Sequence, residues 1–455
     1  MTAIPPLTEK LFHRDSRLWA VKGALAITDQ GLFAGSNFIL NVLLARWLTP
    51  AEYGTFSLAY SAFLLFVAFH SAAFVEPMLV FGPGKYHQRL DEYLGILIRS
   101  HFLVMLPVSG CIVLGSIIIS HSSSTAVGHS FLGLAVAVPF ILLMWMLRRA
   151  FYVELRPGWA MCGGALYLVV LVVLLFVLKA THTLSTVTAL IIMCAASAVT
   201  SFLLILLLHP HRNSASGKLD PTEVALSHWR YGRWSIAGAI VSWFPLNIYY
   251  LVLPAWAGLA GTAALRALTN LINPGTHVLI ALSTLLLPVL VRNRRDGGKR
   301  TVNRTMGAAL LVFLFSTGTF SCGVWLFRAR IFHLLYSGKY QEIGVRPLLF
   351  LLLGLLATCF WAVFGAGLMA LERPDLNFWS NVGATTTAVA IGLPLTALRG
   401  VEGAAEGLFL SAVVTAGLMY FFYRRAEFRD LHVLSSPGSE AYLVEGARPP
   451  ASRGL

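Results

Sequence analysis

The amino-acid sequence predicts an all-α integral membrane protein with about twelve transmembrane helices, and three observations lead there. Hydrophobic residues make up 57% of the 455 and charged residues only 12%, with a mean hydropathy of +0.73; soluble globular domains do not have this balance. Apolar runs of spanning length recur along the whole chain, and lipid-exposed backbone must satisfy its own hydrogen bonds, which a helix does within one run. One polar, turn-rich interval divides the runs six and six.

The runs fall near 24–46, 54–81, 93–120, 129–150, 159–179 and 186–209, then 232–254, 262–291, 304–327, 346–371, 376–398 and 403–423. The organisation expected is a first bundle over 1–209, a cytosolic linker over 210–231, a second bundle over 232–423 and a flexible cytosolic tail over 424–455. No short apolar core of a signal peptide appears among residues 1–20, which carry Glu9, Lys10, Arg14, Asp15 and Arg17, so the N-terminus is expected in the cytosol. With twelve spans from that start, 26 of the 34 Lys and Arg residues fall on the cytosolic side and 7 outside, with Arg266 inside a span. Such a split is a positive-inside signal. It accounts for the net charge of +14 without nucleic acid, and it places both termini inside the cytoplasmic (inner) membrane of a multi-pass protein.

The first span is polar for a lipid-embedded helix. With Asp29 at zero and 100° per residue, Ser36 falls near −20°, Asn37 near 80°, Gln30 near 100° and Asn41 near 120°. This face is expected to border a cavity. Its exit, Arg46-Trp47-Leu48-Thr49-Pro50, ends the helix at an interface. The second span closes with His70, Glu76 and Pro77; Glu76 reads either as an intramembrane acid or as a helix-end group reaching the headgroups. Spans three to six carry small residues suited to close packing and read as scaffold.

In the second half, Pro245 interrupts the seventh span and Pro274 the eighth, and both are candidate gating kinks. The eighth span and its exit, residues 261–300, hold the most unusual pattern. Thr262, Thr269, Asn270, Asn273, His277 and Thr284 lie within roughly 60° of Arg266, so charge and hydroxyls share one stripe. A central charge costs at least about 2.5–3.5 kcal/mol on insertion scales, so the stripe is expected to face protein or water. Arg266 offers a planar donor set for phosphate or pyrophosphate. Asp29 is its expected counter-ion, in a salt bridge or across an open cavity, or else a proton or cation site.

Enzymatic chemistry is not encoded in any motif. Neither GPGKY nor SGKY has phosphate-loop spacing, H-E-x-x-H and G-x-S-x-G are absent, and the outer acids Glu52, Glu342 and Glu402 form no Asp-x-Asp pair. The five cysteines lack metal-ligand spacing. Neither a metal nor a cofactor is expected.

The run LLARWLTPAEYGTFSLAYSAF resembles the first-to-second span junction of the polysaccharide transporter family, the O-antigen and exopolysaccharide flippases. ALRALTNLINP with ALSTLLLPVLVR, HLLYSGKY and RGVEGAAEGLFLS are similar to later segments of that family. The family belongs to the multidrug/oligosaccharidyl-lipid/polysaccharide exporter superfamily. The resemblance implies two six-helix bundles around a central cavity that opens alternately to either side. It also implies a polyprenyl-pyrophosphate-linked oligosaccharide as cargo, with membrane lipids, a polysaccharide polymerase and export proteins as partners. Expected substrate contacts are Arg266, Thr262, Thr269, Asn270, Asn273, Ser36 and Asn37, with Asp29 and Glu76 as coupling acids. The alternatives are a cation-coupled drug or metabolite exporter of the same fold, with Asp29 as the ion site, and a membrane polymerase or glycosyltransferase, which the short outer loops disfavour.

Overall fold

Lipid leaves the backbone no partner but itself, and the chain answers with helices throughout: the computed structural model contains no strand among the described residues, 6–122, 124–208, 219–341 and 345–434. The first half comprises α1 (Pro6–Trp47), α2 (Pro50–Phe81), α3 (His87–Ser122), α4 (Thr125–Val153), α5 (Pro157–Ala180) and α6 (Thr186–Leu207). The second comprises α7 (Pro221–Trp256), α8 (Gly258–Arg295), α9 (Gly298–Leu326), a short α10 (Arg328–Tyr336), α11 (Val345–Ala370), α12 (Pro374–Arg399) and α13 (Val401–Leu434). Eleven of these are long and apolar enough to cross a membrane; α1, longer and more polar, is not among them.

Local chemistry sets the boundaries. Thr49 caps α2 through a capping box with Glu52 and Pro50 opens the helix, while Asp220 caps α7 by accepting from the Thr222 amide at 2.9 Å. Helix therefore begins at Pro221, and the second half of the expected linker is helical; positions 210–218 and the tail beyond 434 lie outside the described residues. Gly298, at φ +66°, breaks the chain between α8 and α9 where a side chain would be strained. The segment after the ninth span, between the apolar runs 304–327 and 346–371, folds into α10 and ends in Ser337 with left-handed backbone.

The helices pack as two bundles. α1 lies on α5, α4 on α3 and α6, and in the other half α11 on α13 and α8. The halves meet where α2 packs on α7 and α8 and where α1 meets α8 and α10. Burial along the facing helices is uneven. Near one end Leu40, Leu44 and Ala45 of α1 and Ala263, Ala264, Leu265, Ala267 and Leu268 of α8 are fully enclosed. Toward the other end Val21 and Ile27 of α1 and Ile280, Leu285 and Val289 of α8 are exposed, and a Cβ on Gly23, Gly31 or Gly35 would meet open space. The molecule is sealed at one end and open between α1 and α8 toward the other.

Candidate functional site

Arg266 sits at the sealed end. It is 7% exposed, its Nη2 donates to the Ser57 carbonyl at 3.3 Å and to Ser61 Oγ, and its guanidinium lies 3.8 Å from the Tyr250 ring centre and 5.3 Å from that of Tyr60. Four residues of two helices thus clamp a second-bundle cation, and its buried Nε takes no partner. No carboxylate pairs with it among the described residues. A sandwich of two aromatic faces is a setting in which guanidinium outperforms ammonium.

Around it the predicted stripe divides. Asn270 Nδ2 donates to Tyr53 OH at 2.9 Å, and Tyr53 OH donates to Asn41 Oδ1 at 3.3 Å, a chain from second bundle to first. Asn273 donates to Asn270 Oδ1 at 3.4 Å, Tyr60 OH to Asn37 Oδ1 at 3.4 Å, and Thr269 shares a 2.7 Å bond with Tyr250. Thr262 and Ser36 are buried and donate only to their own helices, at Gly258 O and Leu32 O. Expected cavity contacts, they are packing residues here. His277 is exposed farther along α8, and the side chain of Thr284 lies outside the described residues. α10 straps the same end: Arg46 donates to Leu334 O at 2.9 Å, and Lys339 Nζ to Arg46 O and Leu48 O at 2.9 and 2.8 Å. Burial, with nearby Lys179, holds the Lys339 ammonium below its ordinary pKa.

Asp29 does not reach Arg266, contrary to the expected counter-ion pair. It pairs with Arg148 of α4, whose Nη2 and Nε reach Oδ1 at 2.5 and 3.1 Å, and its Oδ2 accepts from Tyr152 OH at 2.6 Å. The reason is depth. Asn41 lies level with the clamp through Tyr53, and twelve helical residues separate Asp29 from Asn41, about 18 Å of rise. Arg148, further supported by the Phe33 ring at 4.4 Å, is a site residue that sequence reasoning counted only as a topology signal. Its cue was an Arg pair at the end of an apolar run. Together Asp29, Gln30, Phe33, His70, Trp145, Arg148 and Arg149 line a cavity of about 160 Å³ within the first bundle. Glu76 is exposed and does not line it.

The two prolines occupy different settings. Pro245 cannot donate to Val241 O, and Thr385 of α12 supplies that bond at 2.8 Å, bracing the α7 kink from within the second bundle. Pro274 in α8 removes the helical donor to Asn270 O, directly under the clamp. At the open end contacts between the halves include Lys85 Nζ with Glu223 at 2.8 Å and Ser227 at 3.1 Å, and His228, which bridges Tyr93 OH and Ala73 O at 2.7 and 3.0 Å. The Glu223 bond raises the Lys85 pKa. Both partners are exposed, so Glu223→Gln is expected to cost under about 1 kcal/mol in thermal unfolding of the purified protein; a larger loss would make this contact a principal tie between the bundles.

No protein-family model matches the chain, and no curated protein matches it. Solved structures do. An inward-facing multidrug resistance MATE family transporter of the MOP superfamily aligns with TM-score 0.73 and 14% identity over 90% of this chain and all of that one. The lipid II flippase MurJ in its inward closed conformation aligns with TM-score 0.74 and 14% identity, over 90% of this chain and 91% of that one. A Pyrococcus furiosus MOP superfamily transporter, described as having a binding pocket of reverse polarity that suggests a different function, aligns with TM-score 0.63 and 13% identity over 89% and 94%. At these identities the likeness establishes the fold: two helical bundles arranged as in MATE and MurJ transporters.

Proposed function

We propose that this chain is a secondary transporter of the MOP fold that flips a polyprenyl-pyrophosphate-linked oligosaccharide across the cytoplasmic membrane by alternating access. The observation that carries the reading is the asymmetry along α1 and α8, enclosed at the Arg266 end and apart at the other. The positive-inside rule assigns the basic, open end to the cytosol. A gap between two helices that faces lipid as well as water suits a cargo with a polyprenyl tail and a polar head. Arg266 is then a clasp on the outer side in the inward-open state. Opening of that side frees its guanidinium from Ser57 and Ser61 and offers it to pyrophosphate.

The charge inventory favours an anionic head over a cationic drug. Asp29, the acid that would serve an exporter of cations, is neutralised by Arg148 and Tyr152, whereas Arg149 adds an unmatched positive charge to the same cavity. Cells lacking the chain are expected to accumulate lipid-linked oligosaccharide on the cytosolic leaflet, while normal surface glycan with raised drug sensitivity would overturn the reading. Within the protein, Arg266→Ala removes the clasp and the outer cation and is expected to lower translocation about tenfold, equivalent to about 1.4 kcal/mol. Arg266→Lys retains charge without planar stacking and falls between. Full translocation by a membrane-inserted Ala variant would remove Arg266 from the mechanism.

A further inference from the structure

One wall of the first-bundle cavity carries the buried His70, backed by a second buried histidine, His101, and nothing in the clasp uses them. His70, the residue before the π-helical turn Ser71–Val75 in α2, meets His101 of α3 with Nε2 and Nδ1 2.9 Å apart, and His101 Nε2 lies 2.9 Å from the Pro139 carbonyl of α4. A π-turn within a helix is frequent at functional sites. The proton positions follow from the partners. A carbonyl only accepts, so His101 Nε2 carries a hydrogen. In the neutral pair His101 Nδ1 must then accept from His70 Nε2–H. That leaves His70 Nδ1 as a bare lone pair, and it takes no partner among the described residues. An additional proton has one place to go: whichever ring carries the formal charge, His70 Nδ1 gains a hydrogen. The cavity wall changes from acceptor to charged donor.

The groups facing this pair are few. α1 contributes Asp29 and Gln30, and Asp29 is saturated by Arg148 and Tyr152. α4 contributes Arg148 and Arg149, and Arg149 has only neutral partners among the described residues: with its amide oxygen turned inward, Gln30 accepts from both terminal nitrogens at 3.3 Å, and the Tyr152 ring centre lies 5.5 Å from the guanidinium. From α3 comes His101 alone. α7, packed on the π-turn, brings His228, which is tied to Ala73 O and Tyr93. Glu76, farther along α2, is exposed and off the cavity. The resting cavity thus holds one net positive charge, and protonation of the pair adds a second beside it.

From this geometry we infer that the first-bundle cavity is an oxyanion site gated by a proton, with Arg149 as the constant cation and His70 Nδ1 as the switched donor. The inference rests on the pyrophosphate reading for its ligand class and extends it to a second locus remote from Arg266, where a proton is taken up with the phosphate group. His101 is a positioning residue, fixing the tautomer of His70 through the Pro139 carbonyl.

Sulfate tests it, because its charge is constant across the range in which histidine titrates. Titration calorimetry on the purified, full-length protein is expected to show affinity rising about tenfold from about pH 8 to about pH 5.5. Repeating it in buffers of different ionisation enthalpy should reveal uptake of up to about one proton per sulfate. His70→Gln, whose amide can still donate to His101, is expected to keep the high-pH affinity and lose the pH slope, and Arg149→Gln to lose binding at both pH values. A slope retained in His70→Gln, wild-type protein without proton uptake, or wild-type protein without sulfate binding would each overturn the inference. The buffer comparison on wild type decides it even where a variant fails to fold. The transporter reading stands or falls separately, on lipid-linked glycan in cells: sulfate binding with normal surface glycan would sink that reading and leave this site intact.

Discussion

Gly54→Ala is expected to force the sealed end open. A Cβ at Gly54 would collide with the Leu259 carbonyl in the first turn of α8, and backbone on both sides leaves no flexible atom to yield. Overpacking of this kind costs about 1–3 kcal/mol. Because the collision exists only while the bundles touch at this end, the cost falls on the closed arrangement alone, shifting the balance between states by about tenfold to a hundredfold. Ala51 and Ala260 are exposed on the two sides of the contact. Nitroxide labels there, in a cysteine-free background, should report a longer interspin distance as the dominant population in Gly54→Ala. An unchanged distance distribution would mean that the helices slide rather than separate, and the clasp would lose its gating role.

Arg148→Ala is expected to be the most destabilising single replacement in the cavity. It leaves the Asp29 carboxylate, 1% exposed, with only Tyr152 as a side-chain partner. Breaking a buried pair from one side costs about 3–5 kcal/mol, whereas replacing both partners is often neutral. Asp29→Asn/Arg148→Gln should therefore recover most of the loss in thermal unfolding while keeping the Tyr152 bond available. Wild-type stability in Arg148→Ala would show that the pair is solvated in the membrane. The double variant also separates structure from coupling: if it remains stable and translocates normally, Asp29 serves packing and not ion binding.

Much of the architecture was legible in the sequence because lipid makes each span a self-contained problem. Residues 159–179 had to close their own hydrogen bonds, and helix runs over Pro157–Ala180. α10 was not legible: its helix is held by Tyr336 donating to Ala267 O and by the Arg46 contact, both distant in the chain. The α7 kink at Pro245 could be read, but not its brace by Thr385.

The candidate site divides along the same line. Helical periodicity placed Arg266, Thr269, Asn270 and Asn273 on one stripe; Arg266 and Asn270 bond across to the first bundle, whereas Thr269 and Asn273 bond within the second. Periodicity also put Ser36 near Asp29 and Thr262 near Arg266, yet both hydroxyls turn back onto their own helices. By itself, then, the sequence determined that the chain is helical, with apolar runs of membrane-spanning length, where those runs lie, and which face of α1 and α8 is polar. Only the tertiary structure decided that Arg266 lies between Tyr60 and Tyr250 at one end, that Asp29 belongs to Arg148, and that His70 meets His101. The physical reason is that 100° per residue fixes the direction a side chain takes around its own axis. Its partner depends on the axial offset between helices far apart in the chain, and that is set by the packing of the whole bundle.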